Sequence, residues 1–136
     1  MFTPQLLAVA LALFVVEGAE AQVDNCARNY TVHLGDTCNS IADAQGVSTY
    51  QLQTVNNGTI TPNCGNLALG MPLCLAVEGE DCQPVHTVVD GDTCTGVADA
   101  AGTTVGTLVA NNPNLGSDCT ALYPGLVVCV DKDVVV

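Results

Sequence analysis

Positive charge and aromatic side chains are scarce in this sequence. Two Lys and Arg residues stand against 14 Asp and Glu residues, and the chain has three Tyr, two Phe and no Trp. A formal net charge of −12 repels the phosphates of nucleic acids and of anionic lipids, so neither nucleic acid nor a membrane surface is an expected partner. Cysteine and glycine are abundant instead, with eight and 13 residues.

The N-terminal segment has the pattern of a secretory signal. Residues 6–16 are an uninterrupted apolar run, and Ala19, Glu20 and Ala21 supply the small-x-small pattern that precedes a cleavage site. The run is shorter than the roughly 20 residues that span a bilayer. We therefore expect residues 1–21 to be a cleaved signal peptide and the protein to be secreted and extracellular. Cleavage removes two of the 14 acidic residues, which changes the net charge from −12 to −10.

The eight cysteines divide into two sets of four. Their spacings are 12, 26 and 10 residues in the first set and 12, 25 and 10 in the second. An even number of cysteines in a secreted chain indicates a disulfide framework, and pairing within each set allows three connectivities. The close cysteine pairs of zinc sites do not occur, so we expect no metal and no other cofactor. The expected disulfide cysteines are Cys26, Cys38, Cys64, Cys74, Cys82, Cys94, Cys119 and Cys129.

The two cysteine sets belong to an internal repeat. The string GDTC occurs at residues 35–38 and again at 91–94, an offset of 56 that also superposes the residues around it. Such self-similarity means that one small module is used twice. The expected divisions are a first module at 26–75, a linker at 76–81, a second module at 82–130 and a C-terminal tail at 131–136.

Each module follows the order strand, helix, helix, strand, which predicts the α+β class. In the first module, β-favourable residues predict a strand over 30–33 and another over 71–75. Asp36 or Thr37 is expected to cap the first helix, and Gly46 is expected to end it.

A second helix is predicted over 49–55 with Ser48 as its cap. The helical side chains expected to face the core are Ile41, Ala42, Ala44, Leu52 and Val55.

The repeated motif resembles a known family. It is YTVxxGDTCxxIAxxxGVSxxxLxxxNN, then CxxLxxGMPLC, in the first module, and HTVxxGDTCxxVAxxxGTTxxxLxxxNP, then CxxLYPGLVVC, in the second. Both resemble the lysin motif (LysM) domain, and the added cysteines in a small secreted chain resemble the LysM effectors of fungi. The resemblance implies two disulfide-stapled βααβ modules, each with a two-stranded antiparallel sheet and two helices on one side. It also implies non-enzymatic binding of chitin and its N-acetylglucosamine oligosaccharides.

By the same resemblance, chitin would lie in a shallow groove between two loops of each module. The first wall would be Gly35, Asp36, Thr37 and Cys38 in the first module, and Gly91, Asp92, Thr93 and Cys94 in the second. The opposite wall would be Asn57, Gly58, Thr59, Ile60 and Thr61, and in the second module Pro113, Asn114, Leu115, Gly116 and Ser117. Backbone groups of these loops can bond an acetamido group, and Ile60 or Leu115 is expected to contact its methyl group.

Other polar and aromatic residues have simpler explanations. Asn56 and Asn112 are expected to bond neighbouring backbone. His33 and His86 have no metal-ligating companion and are expected on a solvated strand face. The tyrosines could stack on a sugar, but the chain has no Trp to form the usual aromatic platform, so they are expected in the core or at its rim. These are Tyr30, Tyr50 and Tyr123.

Two N-glycosylation sequons occur, at Asn29 and Asn57. Asn57 lies in the expected second wall of the first module, where a glycan would obstruct the groove. The second module has Pro113 at the matching position and no sequon. If only one groove binds, we therefore expect it to be the second.

Several functions are compatible with these patterns. A chitin binder would sequester chitin fragments and suppress the chitin-triggered immunity of a host, or would protect fungal cell walls from chitinases. The resemblance also implies that two modules can sandwich one oligosaccharide, either within a chain or between chains, and the second arrangement gives ligand-bridged dimers or polymers. The sequence leaves both arrangements open. A hydrolase needs two carboxylates about 5 to 9.5 Å apart in a cleft. Asp36 and Asp43 recur in both modules, but modules this small offer no deep cleft, so we expect no enzyme. The remaining alternative is a disulfide-rich structural protein or inhibitor with binding lost in one or both modules.

Overall fold

A computed structural model describes residues 23–135 of the chain. The expected signal peptide, residues 1–21, lies outside the described residues. Within 23–135, no helix has both the length and the apolar character needed to cross a membrane.

The first module has the predicted order of elements. Strand β1 (Cys26–Thr31) is followed by helices α1 (Cys38–Gln45) and α2 (Thr49–Val55) and by strand β2 (Pro72–Val77). The two strands pair antiparallel in a two-stranded sheet.

The second module has the same order of strands and helices. It contains β3 (Val85–Thr87), α3 (Cys94–Ala101), α4 (Val105–Asn111) and β4 (Val127–Cys129), with a short 3-10 helix (Pro113–Leu115) after α4. Strand β3 pairs antiparallel with β4 in a second two-stranded sheet. The α+β class and the βααβ modules are confirmed.

The strands of the first module lie further towards the ends of the module than predicted. The predicted strand over 30–33 is wrong in its bounds, since β1 begins at Cys26 and ends at Thr31. The residues before Tyr30 have no strong β-forming pattern, and it is their pairing with the apolar β2 that makes them extended. The expected linker also begins inside the sheet, because Ala76 belongs to β2 and is completely buried.

The helix caps follow the sequence closely. Thr37, and not Asp36, caps α1: its hydroxyl accepts from the backbone N–H of Ser40 at 3.1 Å, and the Ser40 hydroxyl accepts in return from the N–H of Thr37. Gly46 ends the helix in a left-handed conformation, with φ of 63°. Ser48 caps α2 as predicted.

The buried helix faces differ from the prediction at two positions. Ile41, Ala42 and Leu52 are buried as predicted. Ala44 is exposed and Val55 is only half-buried. A helix this short buries only the narrow stripe that meets the sheet, and Ala44 lies outside that stripe.

The disulfides are nested within each module, which resolves the three connectivities left open by the sequence. An outer bond joins the first and fourth cysteines, and an inner bond joins the second and third. The pairs are Cys26–Cys74, Cys38–Cys64, Cys82–Cys129 and Cys94–Cys119. The outer bond ties the two strands of a module, and the inner bond ties the start of its first helix to the loop before its last strand.

The two modules pack directly against each other. Val127 of β4 is completely buried in the hydrophobic cluster of the first module. Its backbone N–H donates to the hydroxyl of Thr49 at 3.1 Å, and that hydroxyl donates to the side-chain oxygen of Asn39 at 2.9 Å. The hydroxyl of Thr87 in β3 also donates to Asp43 of α1. Strand β4 therefore completes the core of a module to which it does not belong.

The segment between the modules is fixed by Gln51 of α2, which is 2% exposed. Its amide donates to the carbonyl of Leu75 at 2.8 Å and accepts from the backbone N–H of Cys82 at 2.9 Å. The same amide donates to Asp81, which pairs with Arg28 at 2.9 Å. Burial opposes ionisation of Asp81, but the hydrogen bonds from Gln51 and Arg28 outweigh it and lower the pKa of the carboxyl.

Each module contains one buried asparagine that ties its second helix to its last strand. Asn56 donates to the carbonyls of Leu52 and Cys74, both at 2.7 Å, and accepts from the N–H of Cys74 at 2.8 Å. Asn112 makes the same three bonds in the second module. The prediction that these side chains bond neighbouring backbone is confirmed.

We expect Asn56→Asp to destabilise the protein by about 2 to 3 kcal/mol, because a carboxylate cannot donate to the two carbonyls that the amide satisfies. Urea unfolding of protein made without N-glycans measures the effect. Asn57→Asp makes the same chemical change at an exposed neighbour and should leave the unfolding midpoint unchanged. Equal midpoints for the two variants would contradict this role of Asn56.

Candidate functional site

The carboxylate of Asp36 closes the Gly-Asp-Thr turn of the first module. It accepts a hydrogen bond from the backbone N–H of His33 at 2.8 Å and another from the hydroxyl of Tyr30 at 2.7 Å. Gly35 has φ of 87°, a conformation that glycine adopts without steric penalty. The turn that forms the first predicted wall is therefore held from within by its own aspartate.

Asp92 closes the second turn with a different side-chain donor. It accepts from the backbone N–H of Val89 at 2.9 Å, and its carboxylate lies 2.8 Å from Nε2 of His86, which takes the position of Tyr30 in the repeat. The prediction of a solvated strand face is wrong for His86, which is half-buried against this carboxylate. For His33 the predicted exposure is correct, but the predicted position on the strand is wrong, because the residue lies beyond the end of β1.

These hydrogen bonds hold the pKa of both carboxyls below its ordinary value. For Asp36 the backbone N–H of His33 has the largest effect, followed by the hydroxyl of Tyr30. For Asp92 the backbone N–H of Val89 has the largest effect, followed by the imidazole. Both aspartates are therefore ionised hydrogen-bond acceptors at neutral pH, and neither is poised to donate a proton.

The inner disulfide of the first module joins two loops around a groove. Cys38 follows the first turn, and Cys64 lies in the loop before β2. The groove is a cavity of about 230 Å³. Its lining residues are Asp36, Thr37, Cys38, Asn39, Gln53, Asn63, Cys64 and Tyr123. Three residues of the first predicted wall thus lie together, and they share the groove with residues 63 and 64.

Two of the five residues of the predicted second wall of the first module line a neighbouring cavity of about 270 Å³. Asn57 and Ile60 contribute to it together with Tyr50, Pro62 and Gln53. This cavity shares Gln53 with the groove.

The loop residues Gly58, Thr59 and Thr61 are exposed and do not line this cavity. The hydroxyl of Thr61 donates to the side chain of Asn63 at 2.7 Å, so it shapes the loop that carries the second side of the groove.

The two apolar residues expected to contact an acetamido methyl group are core residues. Ile60 is 5% exposed in the hydrophobic cluster of the first module, and Leu115 is completely buried in that of the second. The methyl contact predicted for Leu115 is therefore wrong, because its side chain is completely buried. Ile60 lines the cavity beside the groove, so its methyl contact stays a prediction. A module this small has few apolar residues, and it uses those in its loops to close the core.

The second module has the corresponding turn and disulfide. Gly91 has φ of 86°, Thr93 caps α3, and Cys94 bonds to Cys119 in the loop before β4. The other predicted wall lies in and after the short 3-10 helix. Its exposed members are Pro113, Asn114 and Ser117, and Gly116 is half-buried.

Sequence reasoning did not identify Gln53, Asn63 or Tyr123 as groove residues. Gln53 lies one turn after Thr49 in α2, so helical spacing places the two on one face. No signal in the sequence links Tyr123 to the first module, because its position depends on how the modules pack.

The two acidic residues of the first module that recur in the second, Asp36 and Asp43, have different surroundings. Asp36 is the carboxylate that lines the groove, and Asp43 lies on α1, where it accepts from Thr87 of the other module. Among residues 23–135, no group of three or more His, Cys, Asp or Glu side chains is arranged to hold a metal ion.

The fold and the loops define a class of small, disulfide-stapled βααβ modules arranged in tandem. The model of the LysM domain matches residues 30–76 and 86–131. The chain belongs to the LysM domain family.

Relatives that match most of this chain occur in fungi. A secreted LysM effector of Pochonia chlamydosporia is 36% identical over 107 residues, which are 77% of this chain and 15% of that protein. One of Penicillium expansum is 31% identical over 123 residues, 82% of this chain and 34% of the relative. The chain thus spans about a third of one relative and less than a sixth of the other, and both are named as effectors.

Among solved structures, the spore cortex-lytic enzyme SleL of Bacillus megaterium is 25% identical. The match covers 78% of this chain and 23% of that chain, with a TM-score of 0.39, an overlap too low to support any inference.

Acid should destabilise the fold through Asp36 and Asp92. Because their folded-state pKa values are depressed, the ionised carboxylates stabilise the fold above the unfolded pKa of about 3.9, and this contribution is lost as the pH falls through the folded values. We expect the urea midpoint to fall between about pH 5 and pH 2, and the double variant Asp36→Ala, Asp92→Ala to show a smaller fall. Asp90→Ala, which removes an exposed carboxylate beside the second turn, is the control. The same pH dependence in parent and double variant would contradict the assignment.

Proposed function

We propose that the protein is a secreted, non-enzymatic binder of chitin and its N-acetylglucosamine oligosaccharides. Membership of the LysM family supports this, as does the similarity to relatives named as secreted LysM effectors. The observation that carries the proposal is the groove between two loops that a disulfide holds together, Cys38 to Cys64. The second module has the same turn and the corresponding disulfide.

Recognition would rest on hydrogen bonds from the loops to the acetamido and hydroxyl groups of the sugar. The turns are held rigid by Asp36 and Asp92, so little conformational entropy is lost when a ligand binds. Asn39, Gln53 and Asn63 add amide groups that can both donate and accept. A neutral sugar suits such a surface, since it needs many weak polar contacts and no counter-charge.

The groove is suited to binding and not to hydrolysis. Glycoside hydrolysis generally requires one carboxylic acid that stays protonated until it protonates the leaving group, beside a second carboxylate. Asp36 has a lowered pKa and its oxygen already accepts two hydrogen bonds. It therefore acts as part of the wall.

Binding of this kind supports an effector role outside the cell. A protein that captures chitin fragments would suppress a host response triggered by them, and the same protein bound to a fungal wall would shield it from chitinases. Two modules on one chain raise the avidity for a polymer with many repeats, and they also permit ligand-bridged dimers or polymers.

We expect the oxidised protein to bind insoluble chitin more strongly than chitosan, cellulose or peptidoglycan, with little loss between low and high salt. Recognition of the acetamido group is insensitive to ionic strength, whereas attraction of an acidic protein to cationic chitosan is screened by salt. Sedimentation with each polymer, followed by assay of the supernatant for reducing sugar, measures both properties. Failure to bind chitin in every buffer would refute the proposal and leave a structural protein or inhibitor, and release of reducing sugar would indicate a hydrolase.

A glycan on Asn57 should weaken binding by the first module, because this exposed residue lines the cavity beside the groove. In a glycosylating host, Thr59→Ala removes that sequon at an exposed side chain and should raise affinity for chitin oligosaccharides. Thr31→Ala removes the sequon at Asn29, also at an exposed position, and should not. Calorimetric titration of both variants after secretion, with glycan occupancy read by mass spectrometry, gives the comparison. Unchanged affinity of Thr59→Ala, when Asn57 is occupied in the parent, would contradict the prediction.

A further inference from the structure

Three cavities along helix α2 share lining residues and form one trough. The groove of the first module, about 230 Å³, is joined by cavities of about 400 Å³ and about 270 Å³. Gln53 lines all three, Tyr123 lines the first two, and Asn114 lines the last two. We call this surface the inter-module trough, because Gln53 belongs to the first module, whereas Tyr123 and Asn114 belong to the second.

Module packing places the second module's residues in the trough. Val127 of β4 is seated in the first module's core, which brings the loop before β4 beside α2. Asn39 donates to the hydroxyl of Tyr123 at 3.1 Å, and Thr49 in turn donates to Asn39. Tyr123 is held at its hydroxyl and still has 47% of its surface exposed. Its ring is therefore both positioned and accessible.

The chemistry of the trough selects a neutral ligand. The chain has 14 acidic residues. Nevertheless, no Asp, Glu, Lys, Arg or His residue lines the two larger cavities of the trough. Their walls are amides and hydroxyls, such as Gln53, Asn114 and Thr120, beside apolar surface from Leu122 and a tyrosine ring. Amides and hydroxyls next to an aromatic face suit a sugar, which presents hydroxyls at its edges and C–H groups on its faces.

A different cavity of about 530 Å³ beside α3 has the opposite character. It is lined by Asp92, Asp131, Lys132 and Asp133 among others. The contrast shows that the lack of charged residues is local to the two larger cavities of the trough and does not reflect a general lack of charge.

We propose that one N-acetylglucosamine oligosaccharide lies along the inter-module trough and contacts both modules, with Tyr123 stacked on a sugar ring and the amide of Gln53 bonded to the sugar. This assignment rests on the proposed function and specifies its site. It makes the first module the stronger site in protein without N-glycans, contrary to the expectation from the sequons.

The internal repeat supports this difference between the modules. Val109 occupies the position in the second module that corresponds to Gln53 in the first. Ala68 occupies the position in the first module that corresponds to Tyr123 in the second. Among residues 23–135, Gln53 and Tyr123 therefore meet at the junction of the two modules.

The repeat also supplies mild variants for the test. Gln53→Val and Tyr123→Ala each introduce the residue that the other module uses at that position, and Tyr123→Phe keeps the ring. Leu69→Ala removes an apolar side chain that is 69% exposed and lines none of the three cavities, so it is the matched control. Titration calorimetry with the hexamer of N-acetylglucosamine, on protein made without N-glycans, compares all four with the parent.

We expect Tyr123→Ala and Gln53→Val each to weaken binding by roughly 3- to 10-fold, the loss typical of one aromatic contact or one hydrogen bond. Leu69→Ala should bind within about twofold of the parent. Tyr123→Phe keeps the ring but loses the hydrogen bond from Asn39, so its loss of affinity should be smaller than that of Tyr123→Ala. Thermal unfolding checks that each variant is folded.

Tyrosine fluorescence gives a second readout, since the chain has three Tyr and no Trp. The hexamer should change the emission of the parent, and most of this change should disappear in Tyr123→Phe although that variant still binds. If the parent binds the hexamer but Tyr123→Ala and Gln53→Val bind equally well, the trough is refuted and chitin binding stands. If the parent does not bind, the proposed function itself fails.

Discussion

Two nested disulfides hold each module, and the remaining structure depends on them. A module of about 50 residues buries only about 60% of the surface that its unfolded chain exposes, so its stability without added constraints is marginal. The chain-entropy model gives about 4 kcal/mol for closing a loop of the outer size and about 3.5 kcal/mol for one of the inner size, although nested bonds are not fully additive. The inner bond also joins the two loops of the groove. The same constraint therefore stabilises the fold and shapes the surface that would meet a ligand.

The packing of strand β4 on the first module makes two similar modules unequal. Val127 completes the core under α1 and α2, and Gln51 fixes the segment that connects the modules. The helical face of the first module is thereby covered and extended by the second. Among residues 23–135, a duplicated sequence has in this way produced an asymmetric pair of modules, in which the groove of the first module lies at the junction.

Charge is distributed so that binding and solubility do not conflict. The many carboxylates keep the chain soluble, and they would repel other anions. Asp36 and Asp92 are used inside their turns, and the larger cavities of the trough are lined by uncharged side chains. A neutral oligosaccharide can thus approach a strongly acidic protein without an electrostatic penalty.

The sequence by itself determined the elements of each module. The caps at Thr37 and Ser48, the stop at Gly46 and the structural asparagine Asn56 all follow from local rules, because each depends on residues within a few positions or on the repeat. The bounds of the strands did not follow from these local rules, because the residues before Tyr30 become extended only by pairing with β2.

Tertiary structure alone decided the disulfide connectivity, the burial of Ile60 and Leu115, and the position of Tyr123 beside the first groove. Each of these depends on which distant surfaces meet when the core closes. Local spacing has no information about such contacts, because residues far apart in the chain become neighbours only through packing.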